Sequence, residues 1–242
     1  MPTVYEAAQM ANAVYGDKPN VPGWTCVDSR KGGILNGFQA AAFVKDGVTV
    51  VAFRGTNYSG TGLGGDIRGG LMSDAGADLK LGAGMNSTYF ADGEAYMFAY
   101  RHLPRVYVCG HSLGGAIAQV VGNRQGLKFA TFNAPGVAVV ASRNISSATV
   151  GMTAVRTLGM TLSAVRHPMQ AIRDMRAAFN TAHGLNLCLT HDRISKVGIH
   201  YGEILRIPGL STNWLDEHGM DTVLKVLKGR STAIGALDIA GF

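Results

Sequence analysis

Residues 105–122 read RVYVCGHSLGGAIAQVVG. Val106, Tyr107, Val108 and Cys109 form a short apolar run with strand character, and Ala116, Ala118, Val120 and Val121 recur at helical spacing. Between the two runs lies Gly-His-Ser-Leu-Gly-Gly, so the chain must pass from strand to helix within about two residues. A serine on so tight a hinge projects its Oγ clear of the backbone. The residues two before and two after it must lack bulk, because neighbouring chain packs against the turn. Gly110 and Gly114 meet that demand, with Gly115 adding margin. Gly110-His111-Ser112-Leu113-Gly114 therefore fits the G-x-S-x-G nucleophile elbow, and the helix after Ser112 aims its amides and positive dipole end at developing negative charge.

The surrounding chain supplies a matching frame. Residues 3–15 carry a helical apolar stripe, and GFQAAAFV and VTVVAFRG flank Lys-Asp-Gly, a hairpin turning at Asp46-Gly47. Residues 56–84 are glycine-rich and read mostly as loop, and residues 86–103 read as helix. LKFATFNAPG is a further strand, ended by Pro135-Gly136, and LNLCL and YGEILRIPG are two more. Strands alternating with helices imply an α/β architecture, a mainly parallel central sheet covered by helices on both faces, with ligands bound beyond the carboxyl ends of the strands. The whole chain, residues 1–242, reads as one such domain, interrupted by a helical insertion at 139–183. That insertion splits at Pro168 into two amphipathic patterns and holds five arginines, one aspartate and four methionines. It reads either as a cap over Ser112 whose methionines line an acyl groove and whose cations meet an anionic lipid interface, or as helices packed on the core.

Bulk composition narrows the function class. Of the 242 residues, 47% are apolar and 16% charged, enough for a substantial core. The 33 glycines are roughly twice ordinary usage, which points to many tight turns. The net charge of +6 comes without a run of Lys/Arg interleaved with aromatics and without a zinc-finger or RNP-like pattern, so no nucleic-acid partner is expected. Cys26, Cys109 and Cys188 lack the spacing of a disulfide framework or a zinc site. No metal or cofactor is expected: H-E-x-x-H is absent, and GTGLGG at 60–65, though it fits G-x-G-x-x-G, begins well past a strand end and opens no helix. No transmembrane segment and no Sec signal peptide are evident, which leaves cytoplasmic residence or export by a route without an N-terminal signal open.

A serine hydroxyl is a weak nucleophile until a base takes its proton, and that base needs an orienting carboxylate. On this fold the order along the chain is Ser, then Asp or Glu, then His. Asp192 follows the apolar run LNLCL near a strand end, and His218 follows the next strand in an expected loop just before the helix-periodic MDTVLKVL. His111 and His191 adjoin other candidates and point differently, His200 precedes a strand and is expected at the far end of the sheet, and His167 and His183 belong to the insertion. The candidate catalytic set is Ser112, Asp192 and His218.

The blocks VTVVAFRGT (48–56), VCGHSLGGAIA (108–118), TFNAPGVA (131–138), LTHDRISKVG and DEHGM together resemble the class 3 lipases, an α/β-hydrolase family. The resemblance implies Ser112 as nucleophile, Asp192 as carboxylate and His218 as base, with the oxyanion held by Thr56 and the backbone amide of Leu113. It implies a serine ester hydrolase of the lipase or phospholipase type, acting on lipid or acyl esters through an acyl-enzyme. The family pattern PRVG is replaced here by Pro135-Gly136-Val137. Two other readings share these residues: a catalytically inactive hydrolase fold used for binding, and a thioesterase or peptidase with the same three side chains.

Overall fold

The computed structural model describes residues 1–31, 38–55, 87–137 and 182–242. Helix α1, Val4–Ala13, starts at a capping box: Thr3 Oγ1 accepts from the Glu6 amide at 3.1 Å while the Glu6 carboxylate accepts from the Thr3 amide at 2.9 Å. Its apolar stripe of Val4, Ala7, Ala8, Met10 and Ala11 is buried. Strand β1, Thr25–Lys31, precedes the hairpin of β2, Gln39–Lys45, and β3, Val48–Phe53. Asp46 and Gly47 turn that hairpin with φ of 50° and 70°, the pair of positive values that matches strand twist and that Asp-Gly tolerates. Helix α2, Ser87–Met97, leads to β4, Val106–His111. Helix α3, Leu113–Gln125, ends at Gly126 in the left-handed region, φ 65°. Strands β5, Lys128–Phe132, β6, Gly184–Leu189, and β7, Glu203–Ile207, follow. The chain closes with helices α4, Trp214–His218, α5, Met220–Lys228, and α6, Thr232–Gly235.

Among the described residues the seven strands form one sheet in the order of the chain, β1 to β7. The first two pairings are antiparallel and the remaining four are parallel. A parallel neighbour requires a crossover, and a buried parallel strand reads as a continuous apolar run. That is what β4 and β6 show, with every residue buried. Side chains alternate between two layers. Val50, Ala52, Tyr107 and Cys109 join α1 and α5 in one core; Val51, Phe53, Val106 and Val108 join α2 and α3 in the other. The fold is an α/β hydrolase fold, with a mostly parallel mixed sheet between two helical layers.

Two local expectations change, and one strand was not foreseen. β1 gives no sequence signal because it is a polar edge strand, exposed along nearly its whole length. Helix α2 stops at Met97, well short of residue 103, and the chain turns through the exposed Phe98 before Pro104. His218 lies at the last position of a short helix, α4, where a loop was expected. Asn213 caps that helix by accepting from the Leu215 amide at 3.1 Å, and Gly219 ends it. The loop expected at 56–84, the oxyanion residue Thr56 and nearly all of the insertion at 139–183 lie outside the described residues.

Candidate active site

Strand β4 delivers Ser112 to the hinge in a conformation that side chains rarely adopt, φ 55° and ψ −127°. Such backbone strain persists only where surrounding structure over-determines it. Here the surroundings are steric. A Cβ on Gly110 would stand 2.3 Å from the Gly114 carbonyl oxygen, and one on Gly114 would stand 2.1 Å from that of Phe53. A Cβ on Gly115 would meet Ala134 Cβ at 2.5 Å. Both core glycines of G-x-S-x-G are therefore required by backbone contact, and the turn can be this tight only because they lack side chains. Gly55 also packs here: a Cβ on it would lie 3.1 Å from Ser112 Cβ, so the chain leading toward residue 56 runs beside the serine. Leu113 opens α3, whose first amides have no acceptor within the helix.

Ser112, Asp192 and His218 are brought together although they lie on the hinge after β4, past β6 and on α4. Ser112 Oγ is 2.9 Å from His218 Nε2, and His218 Nδ1 is 2.9 Å from Asp192 Oδ1. All three are buried. A carboxylate only accepts, so Nδ1–H of a neutral His218 donates to Asp192, which leaves Nε2 to accept from the serine hydroxyl. The Asp192 carboxylate also accepts from the amides of Ile194, at 3.2 Å, and Ser195, at 2.8 Å. Burial alone would raise its pKa, but the hydrogen bond from His218, the attraction to that ring when it carries a proton, and the Ser195 amide outweigh it and hold the carboxyl below its ordinary value. The acid thus stays ionised in a buried setting.

His111, set aside as a base by its place next to Ser112, and other residues that sequence reasoning did not single out also meet at the site. His111 Nε2 lies 2.7 Å from the His218 carbonyl oxygen and His111 Nδ1 lies 2.8 Å from the Tyr15 hydroxyl. Asn133, itself at φ 46°, donates from Nδ2 to the Glu217 carbonyl at 2.7 Å and to that of His218 at 3.2 Å, and accepts from the Leu189 amide at 2.8 Å. The Glu217 carboxylate is fully buried and accepts from the amides of Leu210 and Ser211 at 2.7 and 2.6 Å, tying the loop before α4 to the helix. No spacing pattern reveals Tyr15 or Asn133, because their roles depend on backbone groups far along the chain. His200 is not at the far end of the sheet: its Nε2 reaches the Ala134 carbonyl at 2.9 Å, just beyond the end of β5. The segment before β7 runs back across that edge, which chain order alone does not reveal.

Residues 6–187 match the family model described as the Tle-like phospholipase domain of the phospholipase-like class. The chain belongs to the phospholipase-like family. The matched region of this phospholipase-like chain holds the whole elbow around Ser112 and stops short of Asp192 and His218. No curated protein matches it by sequence. Among solved structures it is similar to a triacylglycerol lipase from Penicillium expansum at 14% identity, over 85% of this chain and 79% of that one, with a TM-score of 0.43. Lipase II from Rhizopus niveus is similar at 18% identity, over 78% and 71% of the two chains, with a TM-score of 0.39. Acetyl xylan esterase 1 from Thermoanaerobacterium sp. JW/SL YS485 is similar at 15% identity, over 93% and 94%, with a TM-score of 0.35. Among the described residues no helix is long and apolar enough to cross a membrane.

The buried histidines of this phospholipase-like protein make its stability depend on pH. Burial, reinforced by the neighbouring His218, lowers His111 to about 3, and burial likewise lowers His200. An unfolded histidine titrates near about 6.5. As pH falls below that value the unfolded chain binds protons that the folded chain refuses, so stability is lost on acidification. The His111 contribution runs down toward about pH 3, and each such group supplies a slope of up to about 1.4 kcal/mol per pH unit. Urea midpoints measured at about pH 7.5 and about pH 4.5 are expected to drop clearly at the lower value; equal midpoints would contradict the buried, neutral state of both rings.

Proposed function

We propose that this phospholipase-like hydrolase cleaves the carboxylic ester bonds of lipids through an acyl-enzyme on Ser112. The observation that carries the reading is the unbroken line Ser112–His218–Asp192, with 2.9 Å at each contact, standing on a serine with φ 55°. His218 Nε2 takes the serine proton as Oγ attacks the ester carbonyl carbon, and Asp192 steadies the imidazolium that forms. The tetrahedral oxyanion is held by the amide of Leu113 at the helix start and, as the class 3 lipase resemblance implies, by Thr56. Collapse breaks the bond to the leaving alkoxide, which receives the proton from His218. Water then gives a proton to His218 and attacks the acyl carbon, Ser112 departs with that proton, and the free acid leaves.

The reaction type follows from the chemistry of these groups. A serine, a neutral imidazole and backbone amides suit acyl transfer, so a phospholipid is cut at its fatty-acyl ester and releases fatty acid. The phosphate ester is left intact. The family's phospholipase description supports a glycerophospholipid substrate.

A fluorophosphonate probe followed by peptide mapping, together with product analysis on phosphatidylcholine, triglyceride, thioester and peptide substrates, tests the reading. The expected result is a single adduct on Ser112 and free fatty acid from phospholipid. An intact protein with no adduct would make this fold a binding module, and release from thioester or peptide alone would move the chemistry to another acyl class.

A further inference from the structure

The base of this site is held at its main chain as well as at its ring. His218 ends a helix of only five residues, α4, and is 106 positions from Ser112 along the chain. Its ring meets the serine through a bond that cannot persist through turnover, because Oγ loses its proton and is acylated. Asp192 holds the ring's other nitrogen, which sets its tilt but leaves the position of the helix end to be secured elsewhere.

That position is set by two side chains from the strands that frame the serine. His111, the last residue of β4 and the immediate neighbour of Ser112, reaches the His218 carbonyl with Nε2 at 2.7 Å. Since a carbonyl only accepts, Nε2 carries the hydrogen, and Nδ1 accepts from the Tyr15 hydroxyl at 2.8 Å. The carbonyl thus selects the tautomer, and Tyr15 supports it by donating to Nδ1. Asn133, directly after β5, reaches the same carbonyl at 3.2 Å and that of Glu217 at 2.7 Å, while its Oδ1 takes the amide of Leu189 at the end of β6, the strand leading to Asp192. The rings of His111 and His218 lie 4.8 Å apart. His111 and Asn133 are buried, so these bonds face little competition from water.

We propose that His111 and Asn133 are positioning residues for the reaction: by gripping the main-chain carbonyl of His218 they fix the base against the strand ends that carry the nucleophile and the acid, whatever the acylation state of Ser112. The proposal rests on the reading of His218 as base and Ser112 as nucleophile. Displacement of a reacting group by an ångström can cost about 100-fold in rate, so the grip is expected to act on kcat and on the rate of serine modification, with little effect on substrate binding.

The test uses the full chain with His111→Leu, His111→Gln and Asn133→Gly, the last keeping a residue that accepts positive φ. Folding is followed by circular dichroism, kcat and KM are measured on a nitrophenyl ester, and the rate of fluorophosphonate labelling is recorded. His111→Leu is expected to lower kcat and the labelling rate by about 10- to 100-fold with KM within about threefold. His111→Gln, whose amide can still donate to the carbonyl, is expected to recover at least about half of that loss on a logarithmic scale. A folded His111→Leu protein labelled at the wild-type rate would overturn the proposal, as would a His111→Gln protein no faster than His111→Leu. If His111→Leu fails to fold, Asn133→Gly decides the matter: slower labelling at constant KM upholds the grip and an unchanged rate removes it. Failure of the underlying reading is distinguishable, because wild-type protein would then take no label at Ser112.

Discussion

Ser112→Ala is expected to lower kcat by about a million-fold while leaving the fold and substrate binding intact. The proposed attack uses one oxygen, and alanine removes it without adding volume. Ser112 is 2% exposed and its side chain contributes no cap hydrogen bond to α3, so the variant should unfold near the wild-type temperature. In the proposed mechanism the hydroxyl acts as a unit with His218 and Asp192, so a second change at either of those positions should add little to the loss. Residual turnover above the uncatalysed rate would come from the amides at the start of α3. A steady-state assay on phospholipid vesicles, with enough protein to detect a residual rate, measures the effect; a variant within tenfold of wild type would exclude Ser112 as nucleophile.

The second large effect is on stability and has the opposite sign to what helix propensity predicts. Gly114 lies in the first turn of α3, where Gly→Ala ordinarily stabilises a helix by up to about 1 kcal/mol. In this fold the added Cβ would stand 2.1 Å from the Phe53 carbonyl oxygen and 2.6 Å from the Arg54 carbonyl carbon. Both are backbone atoms at the end of β3, which is paired on both sides and cannot yield locally. Gly114→Ala is therefore expected to destabilise by about 3–5 kcal/mol, a fall of roughly 10 °C in Tm for a chain of this size. Thermal unfolding followed by circular dichroism measures it, and a Tm equal to or above wild type would show that α3 can move away from β3. Gly126, with open space around its Cβ position, is no equivalent control because its φ of 65° strains any other residue.

The two effects separate what was legible in the residues from what was not. The elbow could be read because its requirements are local: a strand, a hinge serine, glycines at fixed offsets and a helix, all within one short stretch. The Asp46-Gly47 hairpin was legible for the same reason, as was α1, whose apolar spacing and capping residues sit side by side in the chain. β1 could not be read, since an exposed edge strand has no buried face to impose alternation. The end of α2 was overestimated because apolar residues continue past Met97 into a turn.

The site divides along the same line. Ser112 is implied by its own neighbours, whereas Asp192 and His218 were reached only through strand order and a family resemblance. Asn213 and the acidic residues after it did offer a helix-start signal for α4, but a helix so short is below the length at which periodicity speaks. Tyr15, His111 and Asn133 meet His218 through main-chain carbonyls or through another ring. Carbonyls are present at every residue, so nothing in the letters marks which of them will be held.

By itself, the sequence determined the layered α/β frame, the strained hinge and the serine upon it, because hydrophobic period and glycine placement act over a few neighbouring residues. Only the tertiary structure decided that a ring 106 positions away would stand 2.9 Å from that serine and that His111 would hold its main chain. Distances between remote segments depend on how parallel strands align at their carboxyl ends, and that alignment is set by the packing of the whole sheet.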